Sequence, residues 1–319
     1  MNGEQNKLRN RLIIAFLTVS FFIFLFYLAH RPQNSTLFVA KAEPQTIPQV
    51  SILFVGDMML DRNVRNLINK NGFDNFFSGV KDLIKNADIA VANLEGAFTN
   101  SPSITAGLIN KSLVFTFDPQ LAPKLFELGF DVMGLANNHS FNFGKDGLES
   151  TRRYIGSAGM LYYGDPFNKD EISTVVTKNG IRVGFIGFHE FYYVNSDNIL
   201  FEIARLRKEV DILIVSPHWG AEYQKSPNET QVKLAHQYID LGADAVIGAH
   251  SHIVGDIEEY KGKKIYYSLG NFAFDQYFSE ATMNGLGVVL NIKKEENGAS
   301  LEYKDVPLRV DREGVRLNP

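Results

Sequence analysis

The sequence predicts a layered α/β fold, and two observations predict it. Seven short apolar runs without polar alternation are spread over residues 51–271, and helix-like stretches lie between several of them. Strands that read apolar throughout are those covered on both faces, whereas a strand with one wet face alternates. A third observation gives the fold a use. Each run closes on polar residues, and in open α/β sheets ligands bind outside the carboxyl ends of the strands.

In order, the runs are SILFVGD (51–57), ADIAVANLE (87–95), FDVMGLANNH (130–139), IRVGFIGFHE (181–190), VDILIVSPHWG (210–220), ADAVIGAHSH (243–252) and KKIYYSLGN (263–271). Between them PQLAPKLFELG (119–129), KDGLESTRRYIGSAG (145–159) and NETQVKLAHQYIDLG (228–242) place apolar residues three and four apart and end at glycine. That is the pattern of amphipathic helices with a glycine stop. Strand and helix in alternation make a layered α/β protein. The tail differs: two strand-like runs flank Asn297-Gly298 and predict a β-hairpin over 285–311.

The N-terminus has another purpose. Residues 12–29, LIIAFLTVSFFIFLFYLA, carry no charge and follow Lys7, Arg9 and Arg11. Eighteen apolar residues approach the length of a membrane-crossing helix. The basic flank predicts residues 1–11 as a cytoplasmic tail, 12–29 as a transmembrane anchor, and everything after residue 30 outside. A cleaved signal peptide is the competing reading, since Ala40-Lys41-Ala42 imitates a cleavage site, but it lies far beyond the apolar core. Residues 30–49, with prolines at 32, 44 and 48, read as a linker to a domain over 50–319.

Composition removes several functions. The 319 residues include no cysteine, which excludes disulfides, thiolate-bound zinc, iron–sulfur clusters and a cysteine nucleophile. The net charge of -4 is uneven: residues 1–50 carry five Lys/Arg against two Asp/Glu, leaving 27 against 34 for the rest. An acidic body lacks the basic face that nucleic acid requires.

The chemistry gathers where the runs close: Asp57, then Asn93 and Glu95, Asn137, Asn138 and His139, His218, and finally His250 and His252. Each has a bland explanation alone. Asp57 could cap a helix starting near Arg62, Asn138 could make a turn, and His218 could be a structural histidine. Together they weigh more, because four of the seven histidines fall at three strand ends. Neutral imidazole with carboxylate and amide oxygen suits zinc, iron or manganese.

The ordered motifs GD, NLE, NNH, HWG, GAHSH and YSLGNF resemble the CapA family of poly-γ-glutamate capsule proteins, whose domain is similar to calcineurin-like metallophosphoesterases. The likeness covers roughly residues 51–275. It implies a four-layer αββα sandwich, attachment to the membrane, and one or two divalent ions. By position, Asp57 and His252 hold one ion, Asn138, His218 and His250 the other, and Glu95 bridges them. His139 becomes the general acid. Arg62, Asn93, Asn137, Glu222 and Tyr223 contact substrate or support the ligands. The implied partners are an anionic polymer such as poly-γ-glutamate and other membrane subunits of a capsule synthase.

The sequence departs from that pattern at named places. Phosphoesterases usually begin Asp-x-His, but Met58 and Met59 follow Asp57 here, leaving Asp61 or water to compensate. Asn142 stands where aspartate is common, and Ala249 and Ser251 where histidine and proline are common. His189 is expected at the rim or in packing, His236 and His30 as bystanders, and Trp219 as a lid or as core. Three functions follow: a metal-dependent hydrolase or transferase acting on a phosphoester or γ-amide, a non-catalytic subunit that binds polymer or stabilises a synthase, and a purely structural metal site.

Overall fold

Strand β1 (Gln49–Met58) shows how the apolar runs are used. Its Ile52 and Phe54 enter one apolar layer while Leu53 and Val55 enter another, so both faces are dry. In the computed structural model, residues 2–30, 47–105, 113–192, 196–296 and 298–318 are described. They fall into two units, Met1–Thr46 and Ile47–Pro319.

After β1 the strands are β2 (Ile89–Leu94), β3 (Ala97–Phe98), β4 (Thr116–Phe117), β5 (Val132–Gly134) and β6 (Leu161–Tyr163). Next come β7 (Ser173–Lys178), β8 (Ile181–His189), β9 (Ile212–His218), β10 (Ala245–Ile247), β11 (Ile257–Tyr260) and β12 (Lys263–Tyr266). The last are β13 (Asn271–Ala273), β14 (Asn284–Glu295), β15 (Gly298–Asp311) and β16 (Gly314–Leu317).

The first sheet runs β16-β15-β14-β1-β2-β5-β6, with β13 also paired to β1. Its β1, β2, β5 and β6 are parallel, and β14, β15 and β16 complete it antiparallel. The second sheet runs β11-β12-β10-β9-β8-β7, parallel at its centre with an antiparallel strand at each edge.

Three apolar layers define four layers of structure. Between the sheets, Ile52, Phe54 and Val91 meet Val183, Phe185 and Ile214. Outside the first sheet, helices Arg62–Asn71, Leu121–Leu128 and Gly144–Ala158 contribute Val64, Leu125 and Ile155. Outside the second, helices Asp197–Leu206 and Glu229–Asp240 contribute Ile203 and Tyr238. Helix, sheet, sheet, helix is the αββα sandwich. Each fully buried Ile, Leu or Phe favours this arrangement by about 1.5–3 kcal/mol before entropy is counted.

Gly129 and Gly159 end their helices in left-handed conformation. Asn228 and Gln231 form a reciprocal capping box at the start of Glu229–Asp240. The strands that the apolar runs do not announce, such as β6, β7 and β11, are short or lie at sheet edges, where one wet side weakens the signal. Strands β14 and β15 pair from Asn284 with Arg309 to Glu295 with Gly298, while Asn297 lies outside the described residues.

In the N-terminal unit a helix runs Asn2–Ala29, and its stretch Gln5–Ala29 is long and apolar enough to cross a membrane. It starts earlier than the apolar run, so Lys7, Arg9 and Arg11 are helical too. Linker residues 31–46, including Ala40-Lys41-Ala42, lie outside the described residues, and β1 already begins at Gln49.

Candidate metal centre

Both sheets deliver polar residues to the carboxyl ends of their parallel strands. Asp57 on β1 is paired with Asn271 on β13, and its backbone N–H donates to Gly270 at 2.9 Å. Gly56 makes that approach possible, because a Cβ there would stand 1.8 Å from the Gly270 oxygen. Asn93 is the last residue but one of β2, and Glu95 follows the strand. After β5, Asn137 Oδ1 accepts from the backbone of His139 (3.0 Å) and Ser140 (2.9 Å), building the turn that presents Asn138 and His139. Asn137 Nδ2 ties this turn to Asn93 Oδ1 at 3.1 Å.

His218 ends β9, and the turn after β10 carries His250 and His252 at φ of 100° and 59°. Left-handed backbone at a residue other than glycine costs on the order of 1–3 kcal/mol and persists only where the surroundings enforce it. That strain brings both imidazoles to the site from one short loop.

The donor atoms converge in two groups. Asn138 Oδ1 lies 2.9 Å from His218 Nε2, which lies 3.0 Å from His250 Nδ1. Atoms bound to one ion at about 2.1 Å stand roughly 3 Å apart, so these three have the spacing of a shared coordination shell. The second group is Asp57 and the His252 ring, whose Nδ1 faces Asp57 Oδ2 at 3.2 Å as a hydrogen-bonding rather than a ligating atom. Asn93 Nδ2 joins the groups, reaching Asp57 Oδ1 (2.9 Å), Glu95 Oε1 (3.1 Å) and His218 Nδ1 (3.2 Å). Ligand atoms of Asp57, Glu95 and His218 all lie within 4.8 Å of one another. The chemistry of this set, two carboxylates with amide oxygen and imidazole, fits a divalent ion.

Electrostatics agrees with that fit. Burial raises the Glu95 carboxyl well above its usual range, and the Asp57 charge adds to the rise. Glu95 Oε2 is buried without a hydrogen-bond partner. Burial also acts on Asp57, but hydrogen bonding and charge from His252 outweigh it and hold Asp57 below its usual value. Burial then holds three imidazoles neutral: His218 well below its usual range, His250 at about 3 and His139 at about 4. Neutral imidazoles and an anionic oxygen beside an unsatisfied carboxyl are what a cation would stabilise.

His139 stands at the edge of the cluster. Its Nδ1 is 3.2 Å from Asn142 Oδ1, which also accepts from Phe115 N–H, and its Nε2 is 3.3 Å from Asn138 Nδ2. Tyr192 donates its hydroxyl to the Asn138 carbonyl at 2.6 Å, and the Phe191 ring packs 4.3 Å from that of His250. The aromatic pair Phe191 and Tyr192 carries no motif that would single it out in sequence.

Other expected residues lie further out. Arg62, at φ 54°, forks onto buried Asp275 (2.9 and 3.2 Å) and contacts none of the donor atoms directly. Tyr223 is exposed, with its ring 6.2 Å from that of His252. Glu222 is exposed and acts on the site through its charge, which adds to the rise at Glu95.

Several expectations need correction. Asp57 does not cap the helix at Arg62; the N-cap is Asp61. Asp61 is no substitute ligand either, because its carboxylate is committed to Arg65, Ser103, Thr105 and the Thr116 N–H. Met59 is buried, and its sulfur accepts from the Asp61 N–H. Trp219 is core rather than lid: its Nε1 donates to the Tyr267 carbonyl beneath a stacked Tyr238. His189 packs at the end of β8, bonded through Nδ1 to the Pro166 carbonyl. His236 pairs with Glu258 under Tyr260, and His30 stacks on Phe26.

Asn271 was not among the expected site residues, yet its Oδ1 lies 3.0 Å from His252 Nδ1. The signal was available, since YSLGN closes on a polar residue as the other runs do.

A family model described as bacterial capsule synthesis protein PGA_cap matches residues 51–276, which span every donor above. The chain belongs to this family. Among curated relatives, capsule biosynthesis protein CapA of Bacillus anthracis is 28% identical over 85% of this chain and 70% of its own. PGA biosynthesis protein CapA of Bacillus subtilis is 27% identical over 92% and 80%. Among solved structures, a hypothetical protein from Thermus thermophilus superposes with a TM-score of 0.51 at 18% identity, covering 84% of this chain and all of that one. Haemophilus influenzae NAD nucleotidase does so with 0.50 at 15%, covering 86% and 60%. These structures share the fold of the αββα sandwich.

Proposed function

We propose that this chain is a membrane-tethered protein of capsule polymer synthesis or export, with a metal-dependent centre in a domain outside the membrane. The convergence of Asn138 Oδ1, His218 Nε2 and His250 Nδ1 beside Asp57 and Glu95 carries the metal part. Membership of the PGA_cap family and relatives named for capsule and PGA biosynthesis support the biological part. The apolar N-terminal helix with its basic flank supports an anchor whose N-terminus stays inside. The polymer is poly-γ-glutamate or a similar polyanion, and the partners are other membrane subunits of its synthase.

In this reading Asn138, His218 and His250 would hold one ion and Asp57 and His252 a second, with Glu95 close enough to serve either. Manganese, iron and zinc all accept such ligands. A divalent ion supplies Lewis acidity toward a phosphoester or amide oxygen and eases the deprotonation of water. The protein's own groups do the rest. Asn93 fixes the two carboxylates through one amide. His139 is neutral at pH 7 with its Nδ1–H on Asn142, so its Nε2 lone pair can take a proton from the attacking water and pass it to the leaving group. Arg62, oriented by Asp275, offers charge to an anionic substrate.

The test is complementation of cells lacking their own copy. Wild type should restore polymer, and both His250→Ala and His139→Ala should fail although the protein accumulates in the membrane. Normal polymer from both variants would sink the catalytic reading.

Met59 favours a second reading. It occupies the sequence position where phosphoesterases usually carry a histidine, its thioether is buried, and Asp61 is engaged elsewhere. A centre of that kind suits a subunit that binds polymer or steadies a synthase without turnover. Polymer lost on deleting residues 2–29, but retained in the double variant His139→Ala/His250→Ala, would support it.

A further inference from the structure

We propose that Asn271 is a positioning residue for His252, fixing the imidazole tautomer that frees Nε2 for an ion. The inference rests on the metal-centre reading above and deepens it. It starts from a backbone carbonyl. Thr282 O can only accept, so the Asn271 side-chain atom 3.0 Å from it must be the amide nitrogen. The same Nδ2 donates to Gln276 Oε1 at 3.1 Å. Both amide hydrogens are therefore spent, and the amide cannot be turned over without facing one acceptor with another.

Asn271 Oδ1 is thereby left as the atom 3.0 Å from His252 Nδ1. An acceptor held there requires a proton on Nδ1, and a neutral ring protonated at Nδ1 keeps its lone pair on Nε2. The neighbouring acceptor on Nδ1 is Asp57 Oδ2 at 3.2 Å. A carboxylate that turns to an ion gives up that contact. Asn271 does not have to, because its amide is anchored from the far side by β13 and the residues after it. His252 sits at φ 59° in a strained loop, so its ring needs such a fixed partner. Asn271 is also buried and paired in register with Asp57, which places it among the ligands through the sheet itself.

The test uses the full-length chain in detergent, with ¹⁵N-labelled histidine. Without metal, the His252 signals of wild type should report the Nδ1–H tautomer, and Asn271→Leu should lose that preference. Manganese titration should show binding about 10- to 100-fold weaker in Asn271→Leu, the range for loss of a ligand's outer partner. In a His252→Ala background the same change should have no further effect. An Nε2–H tautomer in wild type would overturn the proposal without any variant. So would Asn271→Leu binding manganese as wild type does, or weakening it equally with and without His252. Failure of wild type to bind manganese, zinc or iron removes the metal-centre reading and the role of Asn271 with it, a result separable from the others by the wild-type titration.

Discussion

Asn138 Oδ1 and His218 Nε2 stand 2.9 Å apart, though 80 positions separate them in the chain. One follows the first sheet and the other ends a strand of the second, so the contact spans the seam of the sandwich. An ion bound there would fasten the two sheets to each other, and its effects should be visible in stability as well as in activity.

Metal removal should therefore destabilise the fold. An ion present at 100 times its dissociation constant stabilises by about 2.7 kcal/mol. For a domain of this size that is roughly 5–10 °C in Tm. Calorimetry with manganese and then with chelator should show that difference. Asn138→Ala and His250→Ala should each abolish it, and an unchanged difference would refute the assignment.

Glu95→Gln should separate stability from binding. The carboxyl is buried with one oxygen unpartnered and its pKa raised, so its charge is a burden in the metal-free protein. The amide removes that burden. The metal-free stability should hold or rise, by about 1–3 kcal/mol, while manganese affinity falls at least tenfold. A variant that loses stability without metal would contradict this account of the charge.

The metal-free protein should be acid-labile over a defined range. Burial holds His139 and His189 neutral, each down to about 4, against about 6.5 in the unfolded chain. Where the folded value is the lower, the unfolded state binds more protons, and stability rises with pH. The contribution is complete above about pH 6.5 and is lost as pH falls toward 4. At pH 5 the loss is roughly 1–2 kcal/mol for each histidine. Urea titrations at pH 7 and pH 5 measure it, and His189→Gln should flatten the slope.

Asp61→Ala should cost about 2–4 kcal/mol, because it strands Arg65 and frees the donors of Ser103, Thr105 and Thr116. Manganese stoichiometry should stay as in wild type. A lost ion would return Asp61 to the ligands.

The sequence by itself determined the layered α/β fold, the apolar N-terminal helix and the closing of each strand on polar residues. These are local properties: periodicity, burial on two faces and a run of uncharged residues are read within a dozen positions. The motifs also pointed to residues that the fold brings together: Asp57, Asn93, Glu95, Asn137, Asn138, His218, His250 and His252 meet in space. What tertiary structure decided was which atoms face each other. Asp61 and Asp57 are similar carboxylates four positions apart, yet only Asp57 enters the cluster, because Arg65, Ser103, Thr105 and Thr116 surround Asp61 with donors. Asn271 looks like any turn asparagine until the Thr282 carbonyl fixes its amide. Met59 reads as a missing ligand in sequence, and the fold shows it buried in the apolar core with its sulfur accepting from the Asp61 N–H. Hydrogen-bond direction depends on partners tens or hundreds of positions away, and no local pattern carries it.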